Sequence, residues 1–240
     1  MENVFPDWKT DFDRNLAEIR ENIAAACARC GRAEDSVELL AATKTVEYER
    51  VRYAVERGVT LLGENRAQEM LEKYPALPLP DARMHMIGHV QRRKVKQLVG
   101  KADMIESVDS AALASDIARC SRELGICTDI LLEVNLGGEE SKSGFAPEAA
   151  ADAALEAASL QGVRLRGLMA IPPVCERESD ARAYFSALHK LFIDISGRNG
   201  DNSKIDVLSM GMSGDYVLAV EEGATLVRIG SLLFGRRPPR

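Results

Sequence analysis

Residues 38–64, ELLAATKTVEYERVRYAVERGVTLLGE, decide the fold. Glu38 to Lys44 is a short run dominated by apolar residues, Tyr48 to Arg57 repeats apolar positions at helical spacing, and Leu61 to Glu64 is a second short apolar run. Strand, helix, strand in so short a span is a βαβ unit, whose crossover makes the two strands parallel. The alternation continues through the chain. Further apolar runs lie at Met84 to Val90, Met104 to Asp109, Ile130 to Asn135, Leu165 to Ile171, Val207 to Met212 and Thr225 to Gly230. Helical periodicity fills Asn65 to Tyr74, Ser110 to Leu124, Pro147 to Leu160, Glu178 to Gly197 and Asp215 to Glu222. Eight near-continuous apolar strands alternating with helices predict an α/β fold, a single (β/α)8 barrel of the TIM type, for which ~250 residues is typical. The 240 residues then form one domain, 1–240, with no Pro/Gly/Ser-rich linker. Residues 1–37 precede the first strand, so Val4 to Arg32 is an extra N-terminal helix, closed by Gly31 and packed on the barrel or capping its bottom.

Thirty-one basic and 37 acidic residues give a net charge of -6, which argues against a nucleic-acid partner. The densest basic cluster, Arg92, Arg93, Lys94 and Lys96, reads as a solvated face or as a docking surface for an anionic cofactor or an apo-enzyme. No apolar stretch approaches the ~20 residues that span a bilayer, so no membrane partner is expected. Five cysteines in no framework spacing and a charged N-terminus fit a reducing cytoplasm. Cys27 and Cys30 form a CxxC inside the helical segment with no second Cys or His pair nearby, so no metal site is expected.

Active residues of such barrels gather where strands end in βα loops. Lys44 ends the first strand, Asn65 follows the second, and His89, Asp109 and Asn135 follow the next three. Ser209 and Ser213 surround the seventh strand, and Arg228, Gly230 and Ser231 close the eighth. A desolvated lysine offers a neutral amine that attacks aldehydes; the bland alternative is a lysine snorkelling from the rim. The segment LSMGMSGD (208–215) and the end of TLVRIGSLLFG (225–235) bring small hydroxyls, glycines and helix-opening amides together as a phosphate cradle, against ordinary turn chemistry. Lysine plus phosphate cradle suggests pyridoxal phosphate. Arg228 alternates with Val227 and Ile229, which turns it inward; it faces either a pyridine nitrogen or a carboxylate such as Glu64 or Glu133.

These residues resemble the pyridoxal phosphate homeostasis proteins, relatives of the alanine racemase barrel domain. The likeness rests on Thr43 and Lys44 in ATK, GENRAQE (63–69), HMIGHVQRRK (85–94), VNLGGEESKSG (134–144), GLMAIP (167–172) and LSMGMSGDYVLAVEEGATLVRIGSLLFGRR (208–237). The resemblance implies that Lys44 forms the internal aldimine, that Asn65 lies near the ring, and that Arg228 faces the pyridine nitrogen. It also implies that Ser209, Ser213, Gly230 and Ser231 bind the phosphate, with Ser231 where Thr is the commoner residue. The implied role is intracellular vitamin B6 homeostasis without catalytic turnover, with apo-enzymes as recipients of the cofactor.

A weak amino-acid racemase is the alternative. The racemases this barrel resembles use a lysine and a tyrosine, the latter lent by a second domain of a partner subunit, and the sequence ends about ten residues after its eighth strand. Tyr216 is the tyrosine nearest a strand end. Without that domain a monomer or weak dimer is expected. Arg228 beside the ring nitrogen would keep it unprotonated and make a poor electron sink, which favours a carrier. A cofactor-free Schiff-base aldolase would use the same lysine and cradle but would show no visible absorbance band. Lys142, on the loop after the fifth strand, is a candidate second lysine for aldehyde in transit.

Overall fold

The computed structural model describes residues 7–73, 75, 82–138, 143–197 and 203–235. Eight strands form a closed barrel in sequence order, every neighbouring pair parallel: β1 Glu38–Ala42, β2 Leu61–Glu64, β3 Arg83–Met86, β4 Met104–Val108, β5 Thr128–Glu133, β6 Val163–Met169, β7 Ser203–Met212 and β8 Leu226–Ile229. The helices are α1 Trp8–Arg29, α2 Tyr48–Glu56, α3 Ala67–Lys73, α4 Val95–Leu98, α5 Ala111–Glu123, α6 Ala150–Ser159, α7 Glu178–Ser196, α8 Tyr216–Glu221 and α9 Ser231–Phe234. The fold is the expected TIM barrel with an N-terminal helix.

Strand alternation divides the core in two. Leu40, Leu61, Met104, Leu131, Met169, Val207 and Leu226 fill the barrel interior, while Ala41, Leu62, Ile105, Leu132, Leu168, Leu208 and Val227 face the helices. Gly63 is an interior position: a Cβ there would stand 2.4 Å from Leu40 Cδ2, so a larger residue would displace the Leu40 side chain.

The periodicity of α1 left two places open for it, and the structure chooses the flank. The eighth βα unit ends in a helix of four residues, α9, too short to cover the seam between β8 and β1. Helix α1 lies there instead. Its buried face is Phe12, Leu16, Ile19, Ile23, Ala26 and Cys27. On one side Asn22 donates to the Tyr216 hydroxyl at 3.0 Å and Arg29 pairs with Glu221 of α8; on the other Asp13 pairs with Arg57 and accepts from Tyr53 at 2.9 Å. Among the described residues, no helix is long and apolar enough to cross a membrane.

Strand and helix ends move by a few residues from the sequence reading. After β3 the basic strip forms a short 3-10 turn, Arg92–Lys94, leading into α4. Its two arginines are engaged on the surface, Arg92 with Asp116 at 2.6 Å and Arg93 with Gln91.

Candidate functional site

At the C-terminal end of the barrel a cleft of about 600 Å³ is lined by Lys44, Asn65, Ser213, Gly214, Arg228, Gly230 and Ser231, with apolar walls from Ala42, Ile87, Ile171 and Met212. Six of the seven site residues expected from the sequence therefore meet in one place. Barrel closure is the reason: β1 pairs with β8, Leu40 opposite Arg228 and Ala41 opposite Ile229, so the two ends of the chain share one rim.

β1 ends at Ala42, whose side chain faces the interior, and the turn that follows the strand brings Lys44 to the cleft wall. It sits half-buried in a turn in which the Val46 amide donates to the Thr43 carbonyl at 3.0 Å. The next residue, Thr45, has φ +60, the left-handed region that a β-branched side chain enters only under constraint, at a cost of ~1–3 kcal/mol.

On the adjoining part of the rim Gly211, at φ +89, brings β7 close to α8; a Cβ there would stand 2.5 Å from that of Ala219. The following loop carries Ser213, whose hydroxyl accepts from the amides of Gly230 and Leu232, each at 3.3 Å. Those amides and the Ser213 and Ser231 hydroxyls form a set of anion donors. Gly230 allows the backbone to approach: even a Cβ would lie 3.3 Å from the Ala42 carbonyl.

Ser209 departs from the expected cradle. It is fully buried below the cleft, where its hydroxyl donates to Glu106 Oε2 at 2.6 Å and accepts from Arg228 Nη1 at 2.5 Å. Arg228 also donates to the Ala170 carbonyl at 2.9 Å. Glu106 Oε1 lies 2.7 Å from His85 Nδ1, which is assigned as the donor because the carboxyl is held ionised. Interior positions of β3, β4, β7 and β8 thus form one polar chain, His85, Glu106, Ser209 and Arg228. Burial pushes the Glu106 carboxyl up, but the His85 hydrogen bond and the charges of His85 and Arg228 outweigh it and hold the group below its usual range. Burial likewise pulls the Arg228 guanidinium down, opposed by Glu106, Glu133 and Asp215.

Neither carboxylate that the sequence offers Arg228, Glu64 or Glu133, is its hydrogen-bond partner. Glu64 is taken up by Lys73 and Thr43, at 2.6 Å each, and Glu133 acts on Arg228 through charge alone, its own carboxyl raised by burial and by Asp109. Glu106 and His85 were missed by reading strand ends only. Their signal was an ionisable residue flanked by apolar neighbours, Glu106 in MIESV and His85 between the methionines of RMHM, the same signal that marked Arg228.

His89 lies on the exposed rim with Nδ1 2.9 Å from Asp109. Tyr216 is buried against α1 and does not line the cleft. Lys142 lies outside the described residues.

Residues 15–238 match the family described as "Alanine racemase, N-terminal domain". A pyridoxal phosphate homeostasis protein of Aquifex aeolicus is 44% identical over 222 residues, covering 92% of this chain and 96% of that protein. A crystal structure of a protein from Bifidobacterium adolescentis superposes with a TM-score of 0.90 at 36% identity, covering 97% of this chain and 98% of that one. The PipY protein of Synechococcus elongatus, solved with PLP bound, superposes with a TM-score of 0.78 at 35% identity, covering 89% of this chain and all of PipY.

Proposed function

The chain belongs to the alanine racemase N-terminal domain family and to the pyridoxal phosphate homeostasis proteins, and from that premise we propose that it holds pyridoxal 5'-phosphate on Lys44 and passes it on, in intracellular vitamin B6 homeostasis, without turning over a substrate. The observation that carries this reading is the shared cleft: an amine from one end of the chain, an anion cradle and a buried guanidinium from the other. An amine, anion donors and one donor for a ring nitrogen are what a phosphorylated pyridine aldehyde requires. PipY, of similar fold, was solved with PLP bound.

Each residue has a distinct part. Lys44 would hold the aldehyde carbon through its amine nitrogen, the carbonyl oxygen leaving as water with the two amine protons. The Gly230 and Leu232 amides, which donate to Ser213, would hold the phosphate together with the Ser213 and Ser231 hydroxyls. Asn65 borders the ring. Ser209 serves by fixing Arg228 rather than by offering its own hydroxyl to the phosphate.

Arg228 favours a carrier over an enzyme. A guanidinium only donates hydrogen bonds, so it is satisfied by a ring nitrogen that keeps its lone pair. An unprotonated ring withdraws electrons weakly, and carbanion chemistry is slow. The homeostasis names of the relatives agree with this reading.

The test pairs transfer with turnover. Protein loaded with pyridoxal phosphate should restore activity to an apo-enzyme that depends on this cofactor, Lys44→Ala should not, and deuterium from solvent should enter alanine negligibly. Exchange of the alanine α-proton at ordinary enzymatic rates, on the order of 1–1000 per second, would establish the racemase instead.

A further inference from the structure

The backbone on both sides of Lys44 is held by side chains of one helix, and we infer that Glu69 and Lys73, with Glu64 beneath them, are positioning residues that aim the Lys44 amine. This rests on the covalent reading above and adds the groups that act through Lys44.

The turn that carries Lys44 runs from Thr43 to Val46. Its third position, Thr45, adopts φ +60, where a turn of this kind takes glycine or asparagine. A strained threonine persists there only where its surroundings over-determine it. Two contacts from α3 do so. The Thr45 amide donates to Glu69 Oε2 at 2.9 Å, and Lys73 Nζ donates to the Thr43 carbonyl at 2.6 Å. Glu69 and Lys73 are four residues apart, so one face of α3 grips the chain immediately before and after Lys44.

The clamp is itself anchored. Glu64, fully buried at the end of β2, receives both Lys73 Nζ and the Thr43 hydroxyl on Oε1, each at 2.6 Å. Thr43 is also tied by its amide to the Gly63 carbonyl at 2.9 Å. The bonds to Glu64, Glu69 and Lys73 are charge-assisted and the strongest of their kind, and Lys73 is only 14% exposed. None of these three residues lines the cleft. They therefore govern where Lys44 is placed and leave ring and phosphate recognition to others. A displacement of ~1 Å in a reacting group is enough to cost orders of magnitude in effective concentration.

The experiment uses the full chain with Glu69→Ala and Lys73→Met. Two ligands separate the roles: pyridoxal phosphate, trapped by borohydride on Lys44 across a concentration series, and pyridoxine phosphate, which has the ring and phosphate but no aldehyde, followed by calorimetry. Covalent occupancy should require about tenfold more pyridoxal phosphate or worse in both variants, while pyridoxine phosphate affinity stays within about twofold; Lys73→Arg should recover most of the loss. Glu69 is partly exposed, so its variant keeps the test valid if loss of Lys73 above the buried Glu64 impairs folding. Equal weakening of both ligands would show a deformed cleft and overturn the clamp. A wild-type adduct on Lys44 that persists undiminished in Glu69→Ala overturns the clamp alone. Absence of any wild-type adduct overturns the covalent reading, and the clamp with it.

Discussion

Arg228 carries a charge into a barrel interior that excludes water, and Glu106 answers it through Ser209 without touching it. Glu106→Gln keeps the shape and removes the charge, leaving the guanidinium without its principal buried counter-charge. We expect a loss of about 3 kcal/mol in urea unfolding, the scale for breaking a buried charge pairing. The acid side of the stability profile should change as well. A carboxyl depressed in the native state stabilises fully above the ordinary glutamate range, and that contribution is lost as pH falls through the depressed value. Glu106→Gln should therefore flatten the acid-side fall, and an unchanged profile would show that Glu106 is not the group responsible. Arg228 was legible in the sequence because strand alternation turns it inward. Its neighbours were not, because alternation says which face a residue takes and not which residues from other strands meet it there.

The loop after β7 and the short α9 act as one device, since Ser213 already accepts from the amides that would receive a phosphate. Pyridoxal lacking its phosphate should bind at least about a hundredfold more weakly, from the loss of several charge-assisted bonds at ~1.5–3 kcal/mol each, discounted for non-additivity. Ser213→Ala should cost ~1.5 kcal/mol, about tenfold in Kd for pyridoxal phosphate, with little effect on pyridoxal itself. Equal affinity for the two vitamers would remove the cradle. The glycine and serine pattern of both segments announced this end of the cleft. The lysine end was harder to read. The apolar run in the sequence ends the first strand at Lys44, whereas β1 closes at Ala42 and the lysine rides a turn whose strained Thr45 is fixed by Glu69 from another element.

The whole molecule depends on a closure that joins its first strand to its last, and α1 covers that seam. Ile19 is fully buried at the centre of the α1 face, so Ile19→Ala should lower stability by about 3 kcal/mol in chemical denaturation. A change near zero would mean that α1 is not integral to the barrel. The eight-fold alternation made the barrel readable from sequence, but the place of α1 was not, because its periodicity marks an apolar face without saying that α9 is too short to cover β8 and β1. Closure also sets Lys44 of the first βα loop in one cleft with Arg228, Gly230 and Ser231 of the last strand and the loop that follows it. Covalent attachment at Lys44 is tested most directly by borohydride reduction of the protein with pyridoxal phosphate, followed by peptide mapping by mass spectrometry. A single phosphopyridoxyl group on Lys44, absent from Lys44→Ala, is expected; labelling of Lys73, Lys94 or Lys142 in place of Lys44 would contradict it.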